Sequence, residues 1–204
     1  HPGKRGIVSA ADIITAWDQA DPTAIHPSRD LGEDAYDASG RAQANALATV
    51  IPAGARILDF GAGDGRVTLP LADLGYQVTA ADSSPRMLAR LTTRAPGIDT
   101  VHTDGQDLLT KVGRKQDAAL CLAVLIHHTR ATGAALVAQL RDTVKAGGLL
   151  ILDWPTSETP EEASSWLEVT TWDPAEQDAL CARLGLKALD TDLPWSVYRA
   201  VKPT

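Results

Sequence analysis

Three alternating glycines that follow an acidic residue form the part of the sequence most able to do chemistry. The stretch Arg56-Ile-Leu-Asp-Phe-Gly-Ala-Gly-Asp-Gly-Arg66 joins a short apolar run to these glycines. Glycine has no Cβ and tolerates positive φ, so a backbone bends sharply there and comes within contact distance of a ligand. The stretch therefore predicts a turn that binds a cofactor through its backbone.

The glycine spacing distinguishes between two classes of cofactor. A dinucleotide site has the pattern Gly-x-Gly-x-x-Gly, with the pyrophosphate at the start of the following helix. Here Gly65 comes one residue early, Arg66 stands where that pattern needs glycine, and Asp64 would repel a pyrophosphate. A ligand with a cationic amino-acid end, such as S-adenosylmethionine, would find acidic neighbours in Asp59 and Asp64. An NAD-dependent oxidoreductase is therefore the less favoured alternative.

Further acids and histidines recur where later strands are predicted to end. From residue 56 onward short β-type runs alternate with helical runs, which predicts repeated βαβ units in a doubly wound, mostly parallel sheet with helices on both faces. Ligands of such sheets bind at the carboxyl ends of the strands. The polar residues at the ends of the five main strands are Asp59, Asp82, Asp104, the pair His127 and His128, and Asp153.

The elements that must position these residues can be placed approximately. Strands are predicted at 56–60, 77–81, 100–103, 117–124 and 148–153, and helices at about 64–74, 85–95 and 133–145. A helix ending at Gly185 precedes two runs, 186–189 and 196–201, that predict an antiparallel hairpin at the sheet edge. We expect residues 1–54 to form a helical cover over the ligand site and residues 55–204 to form the core, as one domain overall.

Four segments in this order resemble the motifs of class I S-adenosylmethionine-dependent methyltransferases. They are Ile57-Leu-Asp-Phe-Gly-Ala-Gly-Asp-Gly65, Ala81-Asp82-Ser83-Ser84-Pro85-Arg86-Met87-Leu88, Thr103-Asp104-Gly105 and Gly147-Gly148-Leu-Leu-Ile-Leu-Asp153. The resemblance covers about residues 40–153 and implies a Rossmann-like α/β fold with S-adenosylmethionine as cofactor. It also implies methyl transfer to an oxygen, nitrogen or carbon nucleophile of a small molecule by in-line displacement.

The resemblance assigns contacts to the methionine end of the cofactor. The backbone of residues 61–63 would approach the methionine portion, and Asp59 would fix its ammonium together with a carbonyl of residues 122–123. Tyr36 and Arg41 would reach its carboxylate. The complete implied set of cofactor residues is Tyr36, Arg41, Asp59, Gly61, Ala62, Gly63, Asp82, Ser83, Met87, Asp104, Gly105 and Leu122.

At the nucleoside end each assignment has a purely structural alternative. Asp82 would accept hydrogen bonds from both ribose hydroxyls, or it would cap the helix that begins near Pro85. Asp104, with the Gly105 amide nearby, would bind the adenine amino group, or it would belong to a polar loop. Met87 would lie against the adenine or belong to the core.

The acceptor side is indicated by two histidines and by the distribution of tryptophan. His127 or His128 would act as a general base, or both would serve as pocket wall, whereas adjacent histidines without spaced carboxylates disfavour a metal. All five Trp lie outside residues 55–153, in segments able to cover the cleft or to fill gaps beneath them. The candidate acceptor-side residues are Tyr36, His127, His128 and Trp154.

Composition limits the partners and the compartment. A net charge of −7 and a pI near 5.1 disfavour a nucleic-acid surface. No apolar run reaches the roughly 18 residues of a membrane span, so we expect a cytoplasmic protein without a membrane partner. The two Cys are expected to be buried thiols. A peptide or protein methyltransferase and a non-catalytic cofactor-binding protein of the same fold remain alternatives.

Overall fold

A seven-stranded sheet with helices around it forms the frame of the molecule. The computed structural model describes residues 9–21, 26–27 and 29–202. The strands are β1 (Arg56–Phe60), β2 (Gln77–Asp82), β3 (Asp99–His102), β4 (Gln116–Cys121), β5 (Val144–Leu152), β6 (Leu186–Leu189) and β7 (Ser196–Ala200). The α-helices are α1 (Ala10–Gln19), α2 (Glu33–Leu47), α3 (Thr68–Asp73), α4 (Pro85–Arg94), α5 (Leu108–Val112), α6 (Arg130–Thr143) and α7 (Pro174–Leu184).

The strand order places the start of the sheet beside a crevice. The order is β3-β2-β1-β4-β5-β7-β6, with β1 to β5 parallel and β7 antiparallel to both of its neighbours. Because the chain runs outward from β1 to β3 and then returns to add β4, the order reverses between β1 and β4. Ligands of open α/β sheets bind outside the carboxyl ends of the strands at such a reversal. The predicted fold class and the antiparallel edge hairpin are confirmed.

Two apolar cores cover the two faces of the sheet. Successive strand residues alternate between them, so that Leu58 and Leu150 pack in one core while Ile57 and Ile151 pack in the other. This alternation is the two-residue period of a strand that is buried on both faces. Both cysteines, Cys121 and Cys181, are buried free thiols, and Trp154 and Trp172 lie in the first of these cores.

Several predicted boundaries are wrong for local reasons. The helix after the glycine turn begins at Thr68 and not near 64, because Gly63 and Gly65 have φ values of +57° and +94° that no α-helix contains. Helix α6 begins earlier than predicted because the Thr129 side chain caps it by accepting the amide of Thr132. The short helix α5 was not predicted, because five residues show too little periodicity.

Helices α1 and α2 lie over the carboxyl ends of the strands. Helix α2 packs against the glycine turn so closely that a Cβ on Gly40 would lie 1.9 Å from the carbonyl oxygen of Arg66. Helix α1 is attached to the start of α4, because Asp18 accepts a hydrogen bond from Ser84 and its carbonyl accepts one from Arg86 at 2.5 Å. The boundary at residue 54 between cover and core remains a prediction.

Candidate active site

A large cavity of about 1180 Å³ lies between the carboxyl ends of the strands and α1. Within the described chain it contains every predicted cofactor residue except Arg41, and it also contains both predicted histidines. Arg41 is exposed on α2 and does not line the cavity. Residues that are far apart in the sequence are therefore brought to one site by the reversal in strand order.

Of the three glycines in the turn, only Gly63 has free space where a side chain would begin. A Cβ on Gly61 would lie 2.2 Å from Val124 Cγ2, so this glycine allows the turn to pack on the loop after β4. A Cβ on Gly63 would meet nothing within 4 Å, although this residue lines the cavity. Backbone at Gly63 is therefore accessible to a ligand from the cavity side.

Asp82 connects the glycine turn to the loop after β2. One oxygen of its carboxylate accepts the amide of Gly63 at 2.8 Å and the other accepts the amide of Ser84 at 2.8 Å. Burial raises the pKa of Asp82, while these amides act in the opposite direction. Ser84, and not Asp82, caps α4 by accepting the Met87 amide. The alternative in which Asp82 serves as the helix cap is therefore wrong.

Asp59 is a buried carboxylate at the end of β1. It accepts a hydrogen bond of 2.6 Å from the Thr68 hydroxyl, and it is 6% exposed. Burial raises the pKa of Asp59 to about 6. Within the described residues no lysine or arginine forms an ion pair with it. A cation that enters the cavity beside Asp59 would therefore gain an electrostatic partner.

Arg66 is the charged residue that the sequence interpretation overlooked. Its guanidinium donates to Ser39 Oγ at 3.1 Å and to Gln43 Oε1 at 2.8 Å, lies 5.8 Å from the centre of the Tyr36 ring, and lines the cavity. Among the described residues no carboxylate forms an ion pair with it within 4.0 Å, although Asp59 and Asp64 act on it electrostatically. Its position after the early third glycine was the available signal, and it was used only as evidence against a dinucleotide.

Asp64 is used by the protein itself. Its carboxylate accepts the hydroxyl of Tyr36 at 2.7 Å and lies 3.2 Å from the guanidinium of Arg94. It does not line the cavity. The expectation that Asp64 faces a cationic ligand is therefore wrong. Its carboxylate instead fixes the position of the Tyr36 ring through the hydrogen bond from the Tyr36 hydroxyl.

The loop after β3 supplies the far end of the cavity. Asp104 is exposed, accepts the amide of Gln106 at 3.0 Å and lies 3.9 Å from the Lys111 ammonium. Gly105 has a φ of +99°, and a Cβ there would lie 2.7 Å from Leu136 Cδ1. Met87 is buried and also lines the cavity. Asp104, Gly105 and Met87 all line the cavity, and their assignment to the adenine stays a prediction.

The loop after β4 contains a strained residue. Ala123 has a φ of +56°, in the left-handed region that L-residues adopt at a cost of roughly 1 kcal/mol. The Asp153 carboxylate accepts its amide at 3.2 Å. Asp153 does not line the cavity. It therefore supports the backbone of residues 122–123, which does line the cavity.

The two histidines after β4 differ in their hydrogen bonding. His127 Nδ1 lies 3.3 Å from the carbonyl oxygen of Glu168. Because a carbonyl only accepts, this contact assigns the proton to Nδ1 and leaves a lone pair on Nε2. His128 Nδ1 is buried and has no hydrogen-bond partner among the described residues. Burial lowers the pKa of both imidazoles and so favours their neutral forms.

The tryptophans were predicted either to cover the cleft or to fill gaps beneath the covering segments, and the structure contains examples of both. Trp17 lines the cavity, with its ring 5.0 Å from the His127 ring and 5.2 Å from the Trp166 ring. Trp154 is 2% exposed, donates to the Tyr198 hydroxyl at 3.1 Å and packs on Trp172 outside the cavity lining. The structure therefore places Trp17, and not Trp154, where an acceptor could contact it.

Comparison with known proteins agrees with this geometry. Residues 57–148 match a family described as methyltransferase domain. Over 105 residues the chain is 35% identical to a ubiquinone biosynthesis O-methyltransferase of Xanthomonas axonopodis pv. citri. The aligned residues make up 50% of this chain and 43% of that protein. Residues 57–148, somewhat less than half of the chain, thus carry a methyltransferase domain, which agrees with the predicted family.

Other methyltransferases share the sequence or the fold over different lengths. The magnesium protoporphyrin IX methyltransferase of Arabidopsis thaliana is 34% identical over 92 residues, which cover 43% of this chain and 29% of that protein. The crystal structure of the corresponding enzyme from Synechocystis PCC 6803 with bound S-adenosylmethionine has a TM-score of 0.65 at 19% identity, covering 97% of this chain and 98% of that one. These curated relatives are matched over less than two thirds of their own length.

A second solved methyltransferase confirms the fold over most of the chain. The 1,6-didemethyltoxoflavin-N1-methyltransferase of Burkholderia thailandensis has a TM-score of 0.64 at 19% identity and covers 97% of this chain and 92% of that one. Among the described residues of this chain, no helix has the length and apolar character needed to cross a membrane. The same residues contain no group of three or more side chains suited to a metal.

Proposed function

We propose that the protein transfers the methyl group of S-adenosylmethionine to an oxygen, nitrogen or carbon nucleophile of a small molecule by in-line displacement. The observation that carries this proposal is the pair of opposite charges beside the glycine turn. The Asp59 carboxylate and the Arg66 guanidinium both line the cavity. Neither forms an ion pair within 4.0 Å among the described residues, although each acts electrostatically on the other. An amino acid carries the complementary pair of charges.

The residues present fit this cofactor along its length. Asp59 would hold the ammonium and Arg66 the carboxylate, with the open backbone at Gly63 beside them. Asp82 has both oxygens fixed by backbone amides, and a carboxylate oxygen can accept more than one hydrogen bond, so it would hold the ribose. Asp104, Gly105 and Met87 would hold the adenine. Arg66 replaces Arg41 in this assignment because only Arg66 lines the cavity.

When bound, S-adenosylmethionine supplies a methyl group on a sulfonium, whose carbon–sulfur bond breaks with the electron pair remaining on sulfur. The protein's contribution is alignment and proton removal. The wall opposite the glycine turn would orient the acceptor atom, and such positioning is worth on the order of several kcal/mol. Nε2 of neutral His127 would accept the proton that an acceptor hydroxyl or ring N–H loses. The Glu168 carbonyl fixes the tautomer for this task.

The named relatives support a small-molecule acceptor. Their names refer to the biosynthesis of ubiquinone, to magnesium protoporphyrin IX and to 1,6-didemethyltoxoflavin, and all three of these compounds are small molecules. Residues of α1 form part of the cavity lining, and the volume of about 1180 Å³ suits a small acceptor beside the cofactor. The absence of a nucleic-acid partner and the cytoplasmic location remain predictions from composition.

Calorimetric titration of the purified protein with S-adenosylmethionine, S-adenosylhomocysteine and NAD tests this proposal. We expect micromolar binding of the first two and none of NAD, since enzymes commonly bind their substrates between about 1 μM and 1 mM. Mass spectrometry of ligand released on denaturation is an independent measurement, with S-adenosylhomocysteine as the expected species. Binding of NAD alone would overturn the proposal. Cofactor binding without turnover of any acceptor would instead favour a non-catalytic binding protein.

A further inference from the structure

The charged residues of the cavity are confined to one side. Within residues 9–21, 26–27 and 29–202, the charged lining residues are Asp59, Arg66, Asp82 and Asp104, and all of them follow β1, β2 or β3. We name these four residues the charged floor. Each of them has a task in the proposed cofactor site, so none is left over to recognise the acceptor.

The opposite side of the cavity is built from different elements. Helix α1 contributes Ile14 and Trp17, and the loop after β4 contributes Ile126 and His127. Ala131 comes from α6, and Leu167 comes from the segment between β5 and α7. We name these six residues the apolar wall. Among the described residues, α1, the loop after β4, α6 and Leu167 contribute no aspartate, glutamate, lysine or arginine to the lining.

The six wall residues provide flat surfaces, and His127 provides a ring nitrogen that can accept a proton. The uncharged polar residues that the same elements add to the lining are His128, Thr132 and Gln139. The rings of Trp17 and His127 lie 5.0 Å apart at 51°, and both line the cavity. An indole face and an aliphatic surface favour a planar apolar molecule. The cavity of about 1180 Å³ exceeds the volume of roughly 300–1000 Å³ common for a single ligand, so it has room for an acceptor beside the cofactor.

From this division we infer that the acceptor is an uncharged, planar ring system with an ionisable hydroxyl or ring N–H that is presented to His127. The inference rests on the proposed function and specifies its substrate class. An acceptor with a carboxylate or an ammonium group would place that charge against the apolar wall without a partner. Burying an unpaired charge in this way is strongly unfavourable.

A matched set of naphthols tests the inference by binding. The probes are 2-naphthol, its anionic analogue 6-hydroxy-2-naphthoate and the cationic 6-aminomethyl-2-naphthol, each titrated by fluorescence against protein saturated with S-adenosylhomocysteine. We expect the uncharged probe to bind at least about tenfold more tightly than either charged probe, a difference of roughly 1.4 kcal/mol. Equal binding, or tighter binding of a charged probe, would overturn the inference.

A charge placed in the wall should reverse this preference. Ile14→Lys should raise the affinity for 6-hydroxy-2-naphthoate at least about fivefold and weaken that for 2-naphthol, because the new ammonium gives the carboxylate a partner. Thr15→Lys is the matched control, since Thr15 is the next residue of α1, is exposed and does not line the cavity. It should leave both affinities within about twofold, as an exposed charge is worth little. Equal effects of the two variants would contradict the inference.

The outcome also separates the inference from the proposed function. If S-adenosylhomocysteine binds and no naphthol does, the acceptor class is wrong and the proposed cofactor site stands. If S-adenosylhomocysteine does not bind to the wild-type protein, the proposed function fails and the acceptor class fails with it. Circular dichroism of both lysine variants establishes that α1 still folds.

Discussion

The charged floor and the apolar wall differ in how they are held as well as in their chemistry. On the floor, Asp82 at the end of β2 is fixed by two backbone amides, and Asp59 near the end of β1 is fixed by Thr68. The wall instead depends on α1, which is attached to the start of α4 through side chains of Asp18 and Arg86. From this difference we expect that the wall can change without disturbing the floor.

The largest effect should come from His127, the wall residue to which the proposed function assigns proton removal. In His127→Asn the amide nitrogen can still donate to the Glu168 carbonyl, but no basic nitrogen remains. We expect kcat to fall about 100- to 1000-fold with cofactor affinity unchanged, since general-base catalysis typically contributes 10² to 10⁴. Steady-state release of S-adenosylhomocysteine measures kcat, and calorimetry measures cofactor affinity.

The pH dependence of the activity of the wild-type protein tests whether neutral His127 acts as the general base. Burial lowers the pKa of His127, so the imidazole stays neutral to a pH below its ordinary value of about 6.5. Activity should therefore be constant near neutral pH and decline only on the acid side of that value, and this decline should disappear in the variant. His128→Asn is the control, with less than a tenfold loss expected. An equal loss in both variants would contradict the distinction between the histidines.

The second effect concerns the floor. In Asp82→Asn one of the two backbone amides of Gly63 and Ser84 would face an NH₂ group in place of an oxygen, and the ribose would lose a charged acceptor. We expect S-adenosylhomocysteine affinity to fall about 100-fold, or roughly 3 kcal/mol, by calorimetry. Asp99→Asn is the control, because Asp99 is exposed at the opposite end of the sheet. Near-normal affinity of the Asp82 variant would remove the ribose assignment.

A smaller effect should distinguish two arginines. Arg66→Met should weaken S-adenosylhomocysteine binding about tenfold, because a charge-assisted hydrogen bond is worth roughly 1.5–3 kcal/mol. Arg41→Met should have almost no effect, since Arg41 is exposed and outside the lining. Binding of 5′-methylthioadenosine, which lacks the amino-acid end, should be equal in both variants. A loss for this ligand in Arg66→Met would indicate general damage to the floor.

The sequence was sufficient for the fold and for most of the floor. Regular alternation of strands and helices predicted the sheet, and the acids that follow β1, β2 and β3 lie where parallel strands place their ends. These residues are adjacent to strands, so a local pattern locates them. For Asp59 and Asp82, burial raises the pKa of the carboxyl group, which is typical of functional carboxylates in a cleft.

The remaining residues depend on tertiary contacts that leave no local signal. Asp64 has the same residue type as Asp59, but Tyr36 and Arg94 turn it away from the ligand. Arg66 and Arg41 are both plausible from the sequence, and only the packing of α2 on the glycine turn separates them. Trp17 lines the cavity and Trp154 lies in the core, and the spacing of apolar residues in the sequence does not distinguish these two environments.

The smallest effect should separate the floor from the wall directly. Arg86 donates to the carbonyls of Asp18 and Ala20 at the end of α1, where carbonyls lack partners within the helix. Arg86→Met should increase hydrogen exchange of the α1 amides about fivefold and weaken 2-naphthol binding about threefold, because these hydrogen bonds contribute modestly. The amides of β1 and the affinity for S-adenosylhomocysteine should not change.

Arg90→Met provides the comparison for this variant. Arg90 lies on the same helix, is exposed, and makes only a 3.9 Å contact with Asp21 among the described ion pairs, so its loss should leave α1 exchange unchanged. If Arg86→Met weakens S-adenosylhomocysteine binding as much as it weakens 2-naphthol binding, α1 and the start of α4 act as one unit. The wall could then not vary independently of the floor, and acceptor and cofactor binding would be coupled through α4.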